Sequence, residues 1–285
     1  MTIDAISGLD HFVIRAPDLD LAEAALQRLG FILTPRGFHV GRGSANHTVA
    51  LQDGNYFELL YFPPDQPSPF GAARDRVAGP VAVALQTSDS RAVHAELAQA
   101  GHVVAAPRDL SRPVRLPDGE HLARFLNVGF PELKPAALSV FACQQLTRDL
   151  VWRPEWQAHP NGALGVTELV VVATDPVALY DSFAALFGDV ALQHDEALIV
   201  RRGSLNLRLI TPREFRRLYP GVEIPPDLSR GWFAGATIRV ASRARLLDLL
   251  RDAGIAAITP ADGRVIVQPA DAVGTVLAFV EIQGA

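Results

Sequence analysis

The sequence predicts an α+β fold built from four βαβββ units, on three observations. First, one grammar recurs four times in the 285 residues: a short apolar strand, a helix-capping Asp or Ser, an Ala/Leu-rich amphipathic stretch, then a Gly. Second, the cap and the Gly are 12, 12, 13 and 12 residues apart in Asp18–Gly30, Asp89–Gly101, Asp175–Gly188 and Ser242–Gly254. That spacing is three helical turns closed by a left-handed Gly. Third, strand-like runs follow the Gly, as in Thr48–Leu51 with Tyr56–Phe62 and in Val265–Gln268 with Thr275–Ile282.

Taken in order, unit one opens on the strand Leu9–Ala16, with a helix from about residue 19. Unit two opens on Val81–Gln86, has its helix from about residue 90, and closes on Ala137–Gln145. Unit three opens on Leu169–Ala173, has its helix from about residue 176, and closes on Asn206–Ile210. Unit four opens on Ala236–Val240, with its helix from about residue 243. Pro63–Pro69 and Ala106–Asp118 read as loops. Residues 146–163 break the pattern with Trp152, Trp156, Pro154 and Pro160. They read as an ordered connector, since two Trp are expensive to leave in water. The expected partition is two domains of two units each, residues 1–150 and 151–285.

Composition narrows the function classes. Apolar residues make up 49% and charged residues 20%, which is a globular balance. The net charge is −5, from 26 basic and 31 acidic residues, with no basic tract. Nucleic acid and anionic membrane are therefore disfavoured as partners. The single cysteine, Cys143, builds neither an intramolecular disulfide nor a thiolate cage. No apolar run is long enough for a transmembrane helix, and Met1–Asp4 does not open a signal peptide. A soluble, cytoplasmic protein is expected.

The opening Leu9-Asp10-His11-Phe12-Val13-Ile14 and the Leu29-Gly30-Phe31 after the helix resemble the glyoxalase-like branch of the vicinal oxygen chelate superfamily. Gly43-Ser44-Ala45-Asn46, Tyr56-Phe57-Glu58-Leu59-Leu60 and the stretches 152–156 and 159–163 extend the resemblance over essentially the whole chain. It implies two open barrels, each made from two units. It also implies a divalent metal, Fe, Mn, Ni, Co or Zn, held by first-strand and last-strand residues.

Placing the repeats in register gives His11, Ala82, Glu168 and Gly235 at the first-strand positions. On the last strands stand Glu58, 28 residues past Gly30, and Glu281, 27 past Gly254. Unit two offers Gln144 or Gln145, and unit three offers Asn206 or Arg208. The expected ligand set is His11, Glu58 and Glu281, with Glu58 or Glu281 moving a proton. Chain connectivity favours pairing unit one with unit two. Ligand chemistry favours pairing unit one with unit four, because a stable transition-metal site wants at least about three protein ligands. If units one and two pair, weak or absent metal is expected there.

Bland readings compete at each position. A lone His in a strand is often a core group, Glu58 and Glu281 are also readable as outward-facing, and Glu168 as an edge residue. His47 reads as a surface residue, Trp152, Trp156 and His159 as connector packing, and the Arg-rich 201–202 and 213–217 as solvated faces.

Two functions remain. One is a metal-dependent lyase, isomerase or dioxygenase acting on a small oxygenated molecule. The other is a metal-free small-molecule binding protein, as drug-resistance relatives are. The expected partner is a small molecule in either case, and homodimerisation is left open.

Overall fold

The computed structural model describes residues 2–41, 43–63, 77–131, 133, 138–194 and 196–281. Unit one comprises β1 (Ile6–Arg15), α1 (Leu19–Arg28), β2 (Gly37–Phe38), β3 (Ala45–Ala50) and β4 (Tyr56–Tyr61). Unit two comprises β5 (Gly79–Thr87), α2 (Ser90–Gln99), β6 (Arg108–Leu116), β7 (Gly119–Gly129) and β8 (Ser139–Gln145). Unit three comprises β9 (Ala163–Val172), α3 (Tyr180–Phe187), β10 (Val190–Gln193), β11 (Ala197–Arg202) and β12 (Leu205–Ile210). The helix α4 (Pro212–Leu218) follows it. Unit four comprises β13 (Trp232–Val240), α5 (Arg243–Asp252), β14 (Ala257–Ile258), β15 (Val265–Val267) and β16 (Val276–Glu281).

The strands form two eight-stranded mixed sheets with the same topology. The first runs β2-β3-β4-β1-β5-β8-β7-β6, and the second runs β10-β11-β12-β9-β13-β16-β15-β14. Each sheet curls into an open barrel. Within unit one the first and last strands are parallel neighbours, and β1 and β5 join the two units antiparallel. Unit one therefore pairs with unit two, and unit three with unit four. The pairing of unit one with unit four that ligand counting favoured does not occur, because sequential connections close each sheet locally.

Local chemistry explains the helix starts. The carboxylates of Asp18 and Asp89 accept backbone N–H bonds from the first turns of α1 and α2, and the Ser242 hydroxyl does so for α5. The third helix starts later than residue 176. Asp175 accepts from the Ala178 N–H, and a 3-10 turn over Val177–Leu179 precedes α3. Gly30, Gly101, Gly188 and Gly254 all have left-handed φ angles, 67° to 86°, as helix-ending glycines.

One expectation fails and another is met for its arginines but not for Phe215. The loop expected over Ala106–Asp118 contains β6, paired along its length with β7. Pro113 disguises it, but β6 is the edge strand of its sheet, where a missing N–H costs no ladder bond. The Arg-rich 213–217 forms part of α4, capped by Thr211 and opened by Pro212, and its Phe215 is fully buried. The Pro-rich loop lies outside the described residues beyond Pro63, as do Ala137 and Ile282.

The two sheets share one apolar core, in which Phe12 meets Phe233 and Phe31 meets Phe279, each at 6.2 Å. Asn55 bridges them, accepting from the Val166 N–H and donating to its carbonyl. In the connector, Trp156 and His159 are buried. The Ile32 N–H donates to His159 Nδ1, and Nε2 donates to the Ala50 carbonyl, so the imidazole serves as packing. Among the described residues no helix is long and apolar enough to cross a membrane.

Candidate functional site

Register places the four equivalent pairs of first-strand and last-strand positions. In unit one His11 lies opposite Tyr56, and Val13 opposite Glu58, on the parallel β1–β4 ladder. His11, Tyr56 and Glu58 thus share one face, two residues apart. The same steps on β5–β8 lead from Ala82 to Phe141, on β9–β12 from Glu168 to Arg208, and on β13–β16 from Gly235 to Ala278. Only unit one supplies two metal-ligating side chains.

A β-bulge gives this site an extra group. Leu9 pairs with Leu85 and His11 with Ala84, leaving Asp10 as the unpaired residue. Strand alternation would send Asp10 to the face opposite His11, whereas a bulge re-aims side chains. Asp10 is wholly buried, and its Oδ1 accepts from His11 Nδ1 at 2.6 Å and from Gln145 Nε2 at 2.9 Å. Of the two glutamines on β8, Gln144 turns away, accepting from the Ser90 N–H and donating to the Ser88 carbonyl.

Because the carboxylate accepts at Nδ1, the proton of His11 is fixed there and the lone pair sits on Nε2. That nitrogen is 3.9 Å from Glu58 Oε2. Asn46 donates from Nδ2 to Glu58 Oε1, and His39 Nε2 lies 4.0 Å from the same oxygen. Tyr56 stacks on the His11 ring at 4.2 Å and Phe141 stands edge-on at 5.6 Å. Burial, with the nearby Asp10 carboxylate next in weight, pushes the Tyr56 phenol well above its ordinary range and keeps it neutral. The same two causes raise the Cys143 thiol. Most of these groups line a pocket of about 590 Å³, whose wall also holds apolar side chains such as Val13, Leu60, Phe62 and Leu110 and the arginines at 108, 112 and 230.

The donor set fits a divalent ion. Two ligands about 2.1 Å from one ion stand at most about 4.2 Å apart, so the His11–Glu58 separation allows a shared cation. A carboxylate on the far nitrogen is the usual orienting partner of a metal-ligating imidazole. Asp10, His11 and Cys143 also bring ligand atoms within 4.8 Å of one another, which is a second way to hold a metal.

Glu281 is not part of this constellation. It stands exposed at the end of β16 in the other sheet and accepts from the Arg243 N–H at the start of α5. Counting from Gly254 misplaced it, because the segments between Gly and last strand differ in length, and the position equivalent to Glu58 is Ala278. Glu168 is engaged too, accepting from Arg208 Nε at 2.8 Å. His47 is buried rather than on the surface; its Nδ1 donates to the Thr34 carbonyl and its Nε2 accepts from Arg36. In the second barrel Phe215 and Tyr219, from and just beyond α4, join an apolar core with Val170, Ile210 and Ala278 on the equivalent face.

Sequence reasoning missed Asp10, His39, Cys143 and Arg112. Asp10 was within reach as the acid adjoining His11, but the bulge that turns it inward leaves no mark in the sequence. Arg112 was hidden with β6.

Fold and site together define a two-barrel protein of the vicinal oxygen chelate superfamily, furnished with polar groups in its first barrel. Residues 9–187 match the family model of the glyoxalase-like domain, and the chain belongs to that family. No curated protein matches it. Among solved structures, it is similar to a hypothetical protein from Staphylococcus aureus at 13% identity and a TM-score of 0.69, covering 97% of this chain and 100% of that one. It is also similar to a mutant of 4-hydroxymandelate synthase from Streptomyces coelicolor, at 14% identity and a TM-score of 0.62, covering 99% and 94%. A xylose isomerase-like TIM barrel/4-hydroxyphenylpyruvate dioxygenase fusion protein aligns at 14% identity with a TM-score of 0.55, over 99% of this chain and 50% of that one. At such identities the likeness establishes the fold alone.

Proposed function

We propose that the first pocket is an active site for a small oxygenated molecule, with residues 1–150 as the domain that carries the chemistry and residues 151–285 as its structural companion. One observation carries this reading: a buried carboxylate, Asp10, fixes the His11 tautomer so that Nε2 faces a second buried carboxylate, Glu58, across 3.9 Å. A core histidine needs no such second acid.

A divalent ion, Fe, Mn, Ni, Co or Zn, held by His11 and Glu58 with His39 as a further donor, would polarise two neighbouring oxygens of the ligand. The remaining work falls to the chain's own groups. Glu58 is the acid placed to move a proton, with Oε1 held by Asn46 and Oε2 facing His11. Tyr56 and Phe141 pack against the imidazole and keep water from it. Lyase, isomerase and dioxygenase reactions all begin from this arrangement.

The second reading, a metal-free binding protein, is favoured by Ala82 and Phe141, which bring no donor from unit two. Elemental analysis of the purified protein separates them. Near-stoichiometric transition metal that is lost in His11→Ala and in Glu58→Gln, with melting temperature retained, supports the metal site. Protein that stays metal-free after exposure to each of the five ions overturns it in favour of the binding protein.

A further inference from the structure

The pocket carries a charge pattern that the His11–Glu58 pair does not require. Arg112, in the middle of β6, is 2% exposed and lines the cavity. Its Nη2 has no hydrogen-bond partner, and the side chain makes no ion pair among the described residues. Burial lowers its pKa, opposed by Tyr56 and Glu58, yet a guanidinium stays charged in any protein. A desolvated charge without a partner is costly, and protein interiors rarely keep one.

Glu58 attracts it but makes no ion pair with it, being turned to Asn46 and His11. The wider lining points the same way. Among the described residues that line the pocket, Arg108, Arg112 and Arg230 stand against one acid, Glu58, in a chain whose net charge is −5. Arg108 is exposed, so it stands where it attracts an anion while Arg112 waits inside. A Cβ on Gly37 would come within 2.9 Å of Arg112 Nη1 and 2.7 Å of Asn46 Oδ1, so only glycine leaves that corner uncrowded.

We propose that Arg112 receives the carboxylate of the ligand, whose apolar body lies against Leu110, Phe125 and Phe130. The pocket's substrates are then small carboxylic acids rather than neutral carbonyl compounds. A carboxylate fits better than a phosphate, because one planar fork matches two oxygens side by side, and a single buried arginine leaves a dianion half-neutralised. This rests on reading the cavity as the ligand site.

The test uses benzoate, phenylacetate and hexanoate, each against its neutral amide, titrated by calorimetry into the full-length protein before and after stripping with a chelator. At least one acid is expected to bind about tenfold more tightly than its amide, the equivalent of one desolvated charge pair at about 1.4 kcal/mol. The preference should persist in stripped protein, fall to near unity in Arg112→Met, and survive in part in Arg112→Lys. Three outcomes overturn the inference: no acid outbinds its amide, the preference survives Arg112→Met, or it vanishes on stripping. The last assigns the anion to an ion at His11 and Glu58, so it removes this inference and leaves the metal reading standing. The wild-type acid-to-amide ratio is decisive even if Arg112→Met fails to fold.

Discussion

Replacing Phe215 by alanine tests the division of labour between the barrels. Phe215 is wholly buried, stacks on Tyr219 at 4.7 Å and meets the edge of Trp232 at 5.2 Å. Its neighbours in that core include Val170, Ile199 and Ile266, each fixed on a strand. Truncating a buried Phe costs about 3–5 kcal/mol, since cavity formation adds to the lost transfer energy. The two ring pairs place this site in the upper half of that range, each adding about 0.5–1.5 kcal/mol beyond area burial. At about 2–4 °C per kcal/mol, the midpoint should fall by roughly 8–20 °C. The assay is urea and thermal unfolding followed by circular dichroism and by tryptophan fluorescence in a Trp152→Phe, Trp156→Phe background, where Trp232 alone reports on this barrel. The new space is dry and apolar, so saturating benzene should restore part of the loss. A cost below about 1 kcal/mol, or no effect of benzene, would mean that Phe215 does not fill the second barrel.

Three further outcomes follow from particular contacts. Burial pushes the His159 pKa below its ordinary 6.5. The unfolded chain then takes up the proton first, so stability is full above that value and falls as pH drops below it. His159→Gln should flatten this acid limb, and an unchanged slope in acid titrations of the melting temperature would assign it to other groups. Asp10→Asn keeps the shape but removes the carboxylate behind His11, and divalent-ion affinity by chelator competition should drop about 10- to 100-fold; unaltered affinity would rule Asp10 out as the orienting group. Gly235→Ala drives a Cβ into the Val276 carbonyl, and about 3 kcal/mol should be lost in urea unfolding, whereas a loss under about 1 kcal/mol would show that the strands part easily.

The parts of the fold legible in the sequence were those fixed by neighbouring residues. Asp18, Asp89 and Ser242 bond the turn that follows them, and the glycines at 30, 101, 188 and 254 need only their own backbone angle. His11 and Glu58 were legible for the same reason, as polar groups in short apolar strands. What depends on distant chain was not. Pro113 reads as a breaker unless β6 is known to be an edge strand. The arginines of α4 are solvated as expected, and Phe215 was missed because one buried apolar residue makes no periodicity. Asp10 faces inward only because β5 imposes a bulge on β1.

That bulge recurs, and its recurrence shows how one topology comes to hold one site. On β9 the residue left unpaired against β13 is Thr167, immediately before Glu168, as Asp10 comes immediately before His11. Both barrels therefore present a re-aimed side chain followed by an inward one. In the first barrel the pair is Asp10 and His11, and the last strand adds Glu58, so two acids flank an imidazole whose second nitrogen is left for a ligand. In the second the pair is Thr167 and Glu168, and Arg208 stands where Glu58 would, so the acid is met by a guanidinium and its charge is spent within the protein. The fourth unit is barred by geometry, because Gly235 lies too close to Val276 to carry any side chain. With that charge already paired, nothing opposes closure of the second barrel, and Phe215 fills it. The first barrel still holds a buried imidazole lone pair, a buried carboxylate and a buried guanidinium without an ion-pair partner among the described residues, a combination that an apolar plug would strand.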